Sequence, residues 1–135
     1  MKAFRMNRVD QGLLLIAHGA RDPEWARPFA DVAARAAAAC PGAAVRLGFL
    51  ELMAPTVADA GAALAAAGCA EVDVLPLFLG AGGHVRRDLP RLVDALRAAH
   101  PAVRWRLRPA IGETEPVVAA MAAAAIGLLA PDETK

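Results

Sequence analysis

Cysteine is scarce in this chain, and neither sign of charge is in marked excess. Cys40 and Cys69 are the only two cysteines among 135 residues, and each closes an alanine-rich segment. No CxxC pair exists, so a thiolate zinc site has no support and two ordinary thiols are the plain expectation. The formal net charge of +1 gives no electrostatic case for nucleic acid or an anionic membrane as the main partner. Long apolar runs are missing too. Nothing approaches the roughly 18 residues that cross a bilayer. The opening MKAFRMNRVDQG is not followed by a signal-type core, and the alanine-rich stretch 117–130 is too short and too weakly hydrophobic to span. A soluble, cytoplasmic protein is expected. Neither GxxxxGK[ST] nor GxGxxG occurs, so the glycine-rich GAGGH at Gly80–His84 supports a nucleotide site only weakly.

What is present is enough apolar matter for one core. Hydrophobic residues make up 57% and charged residues 21%, which excludes general disorder and suits a single domain. Strand-like and helix-like segments alternate. GLLLIA (Gly12–Ala17), AAVRLGFL (Ala43–Leu50), EVDVLPLFL (Glu71–Leu79) and VRWRL (Val103–Leu107) read as strands. Helices are expected from Pro23 to about Cys40, from Pro55 or Thr56 to Gly68, from Val85 to His100, and from Glu115 to Leu129. Asp22 and Pro23 form a good helix start, and Pro41-Gly42 a strong stop. The fold class is therefore α/β, with a four-stranded parallel sheet, flavodoxin-like order 2-1-3-4 and helices on both faces. A flexible segment over residues 1–11, one domain over 12–130 and a tail over 131–135 are expected.

In such a sheet, ligands bind outside the carboxyl ends of the strands, where the strand order reverses. His18 ends the first strand, Glu51 the second, and His84 lies in the loop after the third. The chain has three histidines, and two of them fall on this one edge; His100, closing a surface helix, reads as structural or solvated. A strand-end histidine is as readily a capping group as a ligand, Glu51 as readily a solvated carboxylate, and GAGGH as readily a flexible turn. Gly19 lets the chain turn and leaves room for a large ligand.

HGARDP (His18–Pro23), FLELMAPT (Phe49–Thr56) and PLFLGAGGHVRRDLP (Pro76–Pro90) together resemble the short form of the CbiX/SirB chelatases, class II chelatases acting on sirohydrochlorin. The resemblance covers roughly Leu13 to Leu107 and is most specific in its third motif. It implies that His18 and His84 handle metal, that Glu51 is an active-site carboxylate, and that the activity is a lyase-type insertion of Co²⁺ or Fe²⁺, with Ni²⁺ in related forms. It also implies homodimers. Metal would be a substrate, and no tightly bound cofactor is expected. Ala20 stands where many members carry serine, so a hydroxyl contact to substrate is not expected there.

The residue chemistry agrees. Imidazole suits Co, Ni, Fe and Zn, and two histidines with one carboxylate leave coordination positions open for release. Histidine accepts protons near neutral pH, as removal of pyrrole protons requires. The substrate's carboxylates could meet Arg21, Arg86 and Arg87, or the N–H groups of Gly82 and Gly83. The rival readings are a non-catalytic tetrapyrrole or metal carrier, a phosphate-binding domain and a structural subunit.

Overall fold

The computed structural model describes residues 10–80 and 82–129, and of His84 the backbone alone. The tail expected over 131–135 and most of the N-terminal segment lie outside these residues, although Gln11 already belongs to the first strand.

Four strands, β1 (Gln11–Ala17), β2 (Ala43–Phe49), β3 (Glu71–Pro76) and β4 (Arg104–Leu107), form one sheet in the order β2-β1-β3-β4. All three pairings are parallel, as the alternating pattern predicts. Four α-helices follow the strands in turn: α1 (Arg27–Ala39), α2 (Val57–Ala66), α3 (Gly83–Ala99) and α4 (Glu115–Gly127). Strand progression runs one way from β1 to β2 and the other way from β2 to β3 to β4. With right-handed crossovers this puts α1 on one face and α2 and α3 on the other.

Side-chain alternation agrees with that assignment. Leu14, Ile16, Val72, Val74 and Trp105 join Leu64 of α2 and Val93 and Leu96 of α3 in the main core. Residues between them point to the opposite face. There Leu15 and Ala17 are buried, and α1 packs against β2. The β3–β4 half of this face carries charge instead of a helix: Arg106 grips Asp73 with two hydrogen bonds of 3.0 and 3.3 Å. No helix among the described residues is long and apolar enough to cross a membrane.

Several boundaries differ from the sequence reading. The first helix is broken. Asp22 caps a 3-10 turn at Pro23–Ala26, its carboxylate accepting from the Glu24 N–H at 2.9 Å, and α1 proper begins at Arg27. Pro28 has no N–H with which to continue a helix begun at Pro23. The third strand stops at Pro76 rather than Leu79. The last helix leaves the sheet: α4 packs chiefly against a 3-10 turn at Ile111–Glu113 and buries none of its residues.

Candidate functional site

The strand ends are tied together before any functional side chain leaves them. The Leu50 N–H donates to the Ala17 carbonyl at 2.9 Å, and the Leu77 N–H to the Ile16 carbonyl at 2.7 Å. His18 is the next residue along and is half-buried. Its carbonyl accepts a 2.6 Å hydrogen bond from the Trp25 indole. Its ring stacks on Phe78, with centroids 4.4 Å apart and planes 24° apart. Phe78 is itself buried, so one face of the imidazole is fixed by packing. His18 also lines an open cleft of about 350 Å³ together with Glu51, Val85, Asp88 and three leucines.

Glu51 stands two residues past β2 in an exposed bend. Gly19 sets its distance from His18. A Cβ on Gly19 would overlap the Glu51 carbonyl oxygen, and Gly19 is not among the positive-φ glycines. The glycine is therefore required by close approach of two loops of the same chain, and not by a left-handed turn. Leu52, directly after Glu51, has φ 63. That left-handed conformation costs a leucine about 1–2 kcal/mol, so the bend carrying Glu51 is held by its surroundings.

His84 is not in a loop, as the sequence suggested. Gly82, with φ −72 and ψ 172, is the N-cap of α3, and the Arg86 N–H donates to its carbonyl at 2.9 Å. Helix α3 therefore starts at Gly83, and His84 is its second residue. The first-turn N–H groups, Gly83 included, lack intrahelical acceptors and carry the positive end of the helix dipole. This turn sends Val85 and Asp88 into the cleft of His18 and Glu51.

Asp88 was missed by sequence reasoning. It lies four residues after His84, on the same helical face. That signal is visible only once the helix is known to begin before His84. Among the described residues, no three His, Cys, Asp or Glu side chains form a metal-holding group.

The arginines divide. Arg86 lines a neighbouring cavity and pairs with Glu113 at 3.7 Å. Arg21 and Arg87 are exposed and line neither cavity. Among the described residues, a Cβ on Gly82 would meet nothing within 4 Å, and one on Gly83 only Arg87 at 3.8 Å.

An open parallel sheet with imidazole and carboxylates at its switch point defines a class: doubly wound α/β domains that bind ligands on the carboxyl rim. The CbiX family profile matches residues 12–126, and the chain belongs to the CbiX family. It is 39% identical over 84 residues to a sirohydrochlorin cobaltochelatase of Saccharolobus solfataricus, a match covering 61% of this chain and 62% of that protein's length. Its fold is similar to a cobalamin (vitamin B12) biosynthesis CbiX protein of Marinobacter aquaeolei VT8, with TM-score 0.77 and 29% identity over 87% of this chain and 95% of that one. It is also similar to SirB from Bacillus subtilis with Fe³⁺, with TM-score 0.77 and 26% identity over 91% of this chain but 49% of that one.

Proposed function

We propose that this protein inserts a divalent metal ion into sirohydrochlorin, in the cytoplasm, on the way to cobalamin or siroheme. One observation carries the reading: His18 and Glu51 line one open cleft at the switch point, beside the first turn of the helix that bears His84. The names of the relatives support the substrate. A sirohydrochlorin cobaltochelatase and an Fe³⁺-containing SirB point to Co²⁺ and Fe²⁺. Imidazole ligands suit Ni²⁺ equally.

The metal ion docks on His18 and His84 with Glu51 alongside. The macrocycle enters from the open side, its carboxylates facing the N-terminus of α3, where the Gly82–Gly83 backbone and Arg86 lie, with Arg21 and Arg87 at the periphery. Two pyrrole N–H bonds break as metal–nitrogen bonds form. The two protons pass to the neutral imidazole and the carboxylate, and then to solvent. Ligand exchange from imidazole to pyrrole nitrogen releases the ion into the ring.

The active form is a homodimer. Helix α4 is apolar on all sides, which is the pattern of a buried helix, yet Ile126 is 70% exposed. The match to the Bacillus subtilis chain covers 49% of that chain.

The test is anaerobic insertion measured with Co²⁺, Fe²⁺ and Ni²⁺ separately. Acceleration over the protein-free reaction is expected, with His84→Ala losing it at low metal while keeping the wild-type melting curve. Binding of sirohydrochlorin without acceleration would make the protein a carrier.

A further inference from the structure

A second cavity, of about 220 Å³, lies at the carboxyl ends of β3 and β4, and Arg86, Arg108 and Glu113 supply its charge. Leu89, in the first turns of α3, lines both this cavity and the cleft of His18. The two are therefore neighbours across one helix. Arg108 is held at the rim by its backbone, whose N–H donates to the Val74 carbonyl at 2.8 Å. That bond extends the β3–β4 ladder one residue beyond β4.

The guanidinium of Arg108 differs from those of nearby arginines. Arg104 has Glu71 at 4.0 Å, Arg106 has Asp73 at 3.0 Å, and Arg97 has Asp94 at 2.9 Å. Arg108 has no ion pair among the described residues. The cavity thus holds two guanidinium groups and one carboxylate, an excess of one positive charge. The single acidic group sits 3.7 Å from Arg86, with both side chains well exposed. Such a pair is weak and readily exchanged.

We propose that this cavity is a carboxylate subsite, in which Arg108, helped by Arg86, takes one short carboxylate-bearing arm of the macrocycle and fixes its rotation over the metal corner. The inference rests on the proposed tetrapyrrole substrate. Arginine supplies a planar fork that matches a carboxylate with two hydrogen bonds, and an anchored backbone makes that match directional. Glu113 competes for the same cations in the empty protein.

The experiment measures binding of sirohydrochlorin to the metal-free full chain, and separately the kinetics of Co²⁺ insertion. Arg108→Gln is expected to raise Kd and KM about 10- to 100-fold, the equivalent of one charged hydrogen-bonded contact, with the loss concentrated in KM rather than kcat. Arg108→Lys recovers part of that loss. Glu113→Gln moves affinity the other way, tightening binding about two- to fivefold, because it removes an exposed competing carboxylate. Co²⁺ binding without macrocycle stays unchanged in all three variants. Arg108 is exposed and its side chain has no hydrogen bond among the described residues, so loss of fold is not expected, and melting curves verify it. If wild-type protein binds sirohydrochlorin and Arg108→Gln binds it equally well, the subsite is overturned. If wild-type protein binds but does not accelerate insertion, the proposed activity fails while weakened binding by the variant still upholds the subsite.

Discussion

A single hydrogen atom at position 19 lets the turn after His18 lie directly against the bend that carries Glu51. The Gly19→Ala methyl would fall on the Glu51 carbonyl oxygen, a backbone atom that cannot rotate away. The expected cost is at the upper end of the 1–3 kcal/mol typical of overpacking, or above it, with chelation lost because His18 and Glu51 are pushed apart. Urea unfolding and the insertion assay read the two effects separately. A second expectation concerns thiols. Burial pushes the Cys69 thiol up, with Asp10 adding to the effect and Arg46 opposing it. The neutral form is therefore held in the folded protein. The stabilisation this brings is complete below the ordinary thiol range and is lost as pH rises through the raised value. Cys40 is exposed. An alkylating reagent at pH 8 should add once to the native chain, at Cys40, and twice to the unfolded chain, counted by mass spectrometry.

At the scale of elements, strand order and approximate strand positions were legible because each strand is either a short apolar run, as in β1, or an alternation of apolar and charged residues, as in β3 and β4, with a helix-type segment between one strand and the next. Helix starts were less so. His84 was placed in a loop because GAGGH looks like one, and only backbone geometry reveals that Gly82 in an extended conformation caps the helix. Asp88 escaped for the same reason. The break at Pro28 was legible in principle, since a proline five residues into a proposed helix cannot donate to the residue four before it. Arg108 gave no signal at all, because its importance depends on a cavity between strand ends and on which neighbouring arginines have acidic partners. The second helix offers a direct test of element-level reasoning. Thr56 Oγ1 accepts from the Asp59 N–H at 3.0 Å at the start of α2. Thr56→Ala should cost about 1 kcal/mol, seen as a lower denaturant midpoint with unchanged slope. The backbone bridge of Thr56 to Phe49 at the end of β2 is kept in the variant, so the insertion rate should change little.

At the scale of the whole molecule, neither α1 nor α4 has a fully buried residue, but α1 packs against β2 while α4 meets chiefly a 3-10 turn. Helices α2 and α3 bury an apolar stripe against the sheet. In contrast, α4 leaves Val118 50%, Met121 48% and Ile126 70% exposed, followed by Leu128 at 83%. Among the described residues, no strand comes after β4 to bring it back across the sheet. An apolar helix that contributes nothing to its own core either aggregates or finds a partner of fixed geometry. A second copy satisfies this, since a two-fold pair buries two such helices with one contact surface. Each large aliphatic side chain so covered contributes about 1.5–3 kcal/mol. Met121→Lys with Ile126→Lys should therefore weaken association by several powers of ten, taking the sedimenting species from twice 14.0 kDa down to 14.0 kDa. Since α4 buries none of its residues in the monomer, the variant's circular dichroism and melting at high dilution should match those of wild-type protein. If the wild-type chain sediments as a monomer at micromolar concentration, or if the double variant still pairs, then α4 is not the contact, and the exposed helix needs another explanation.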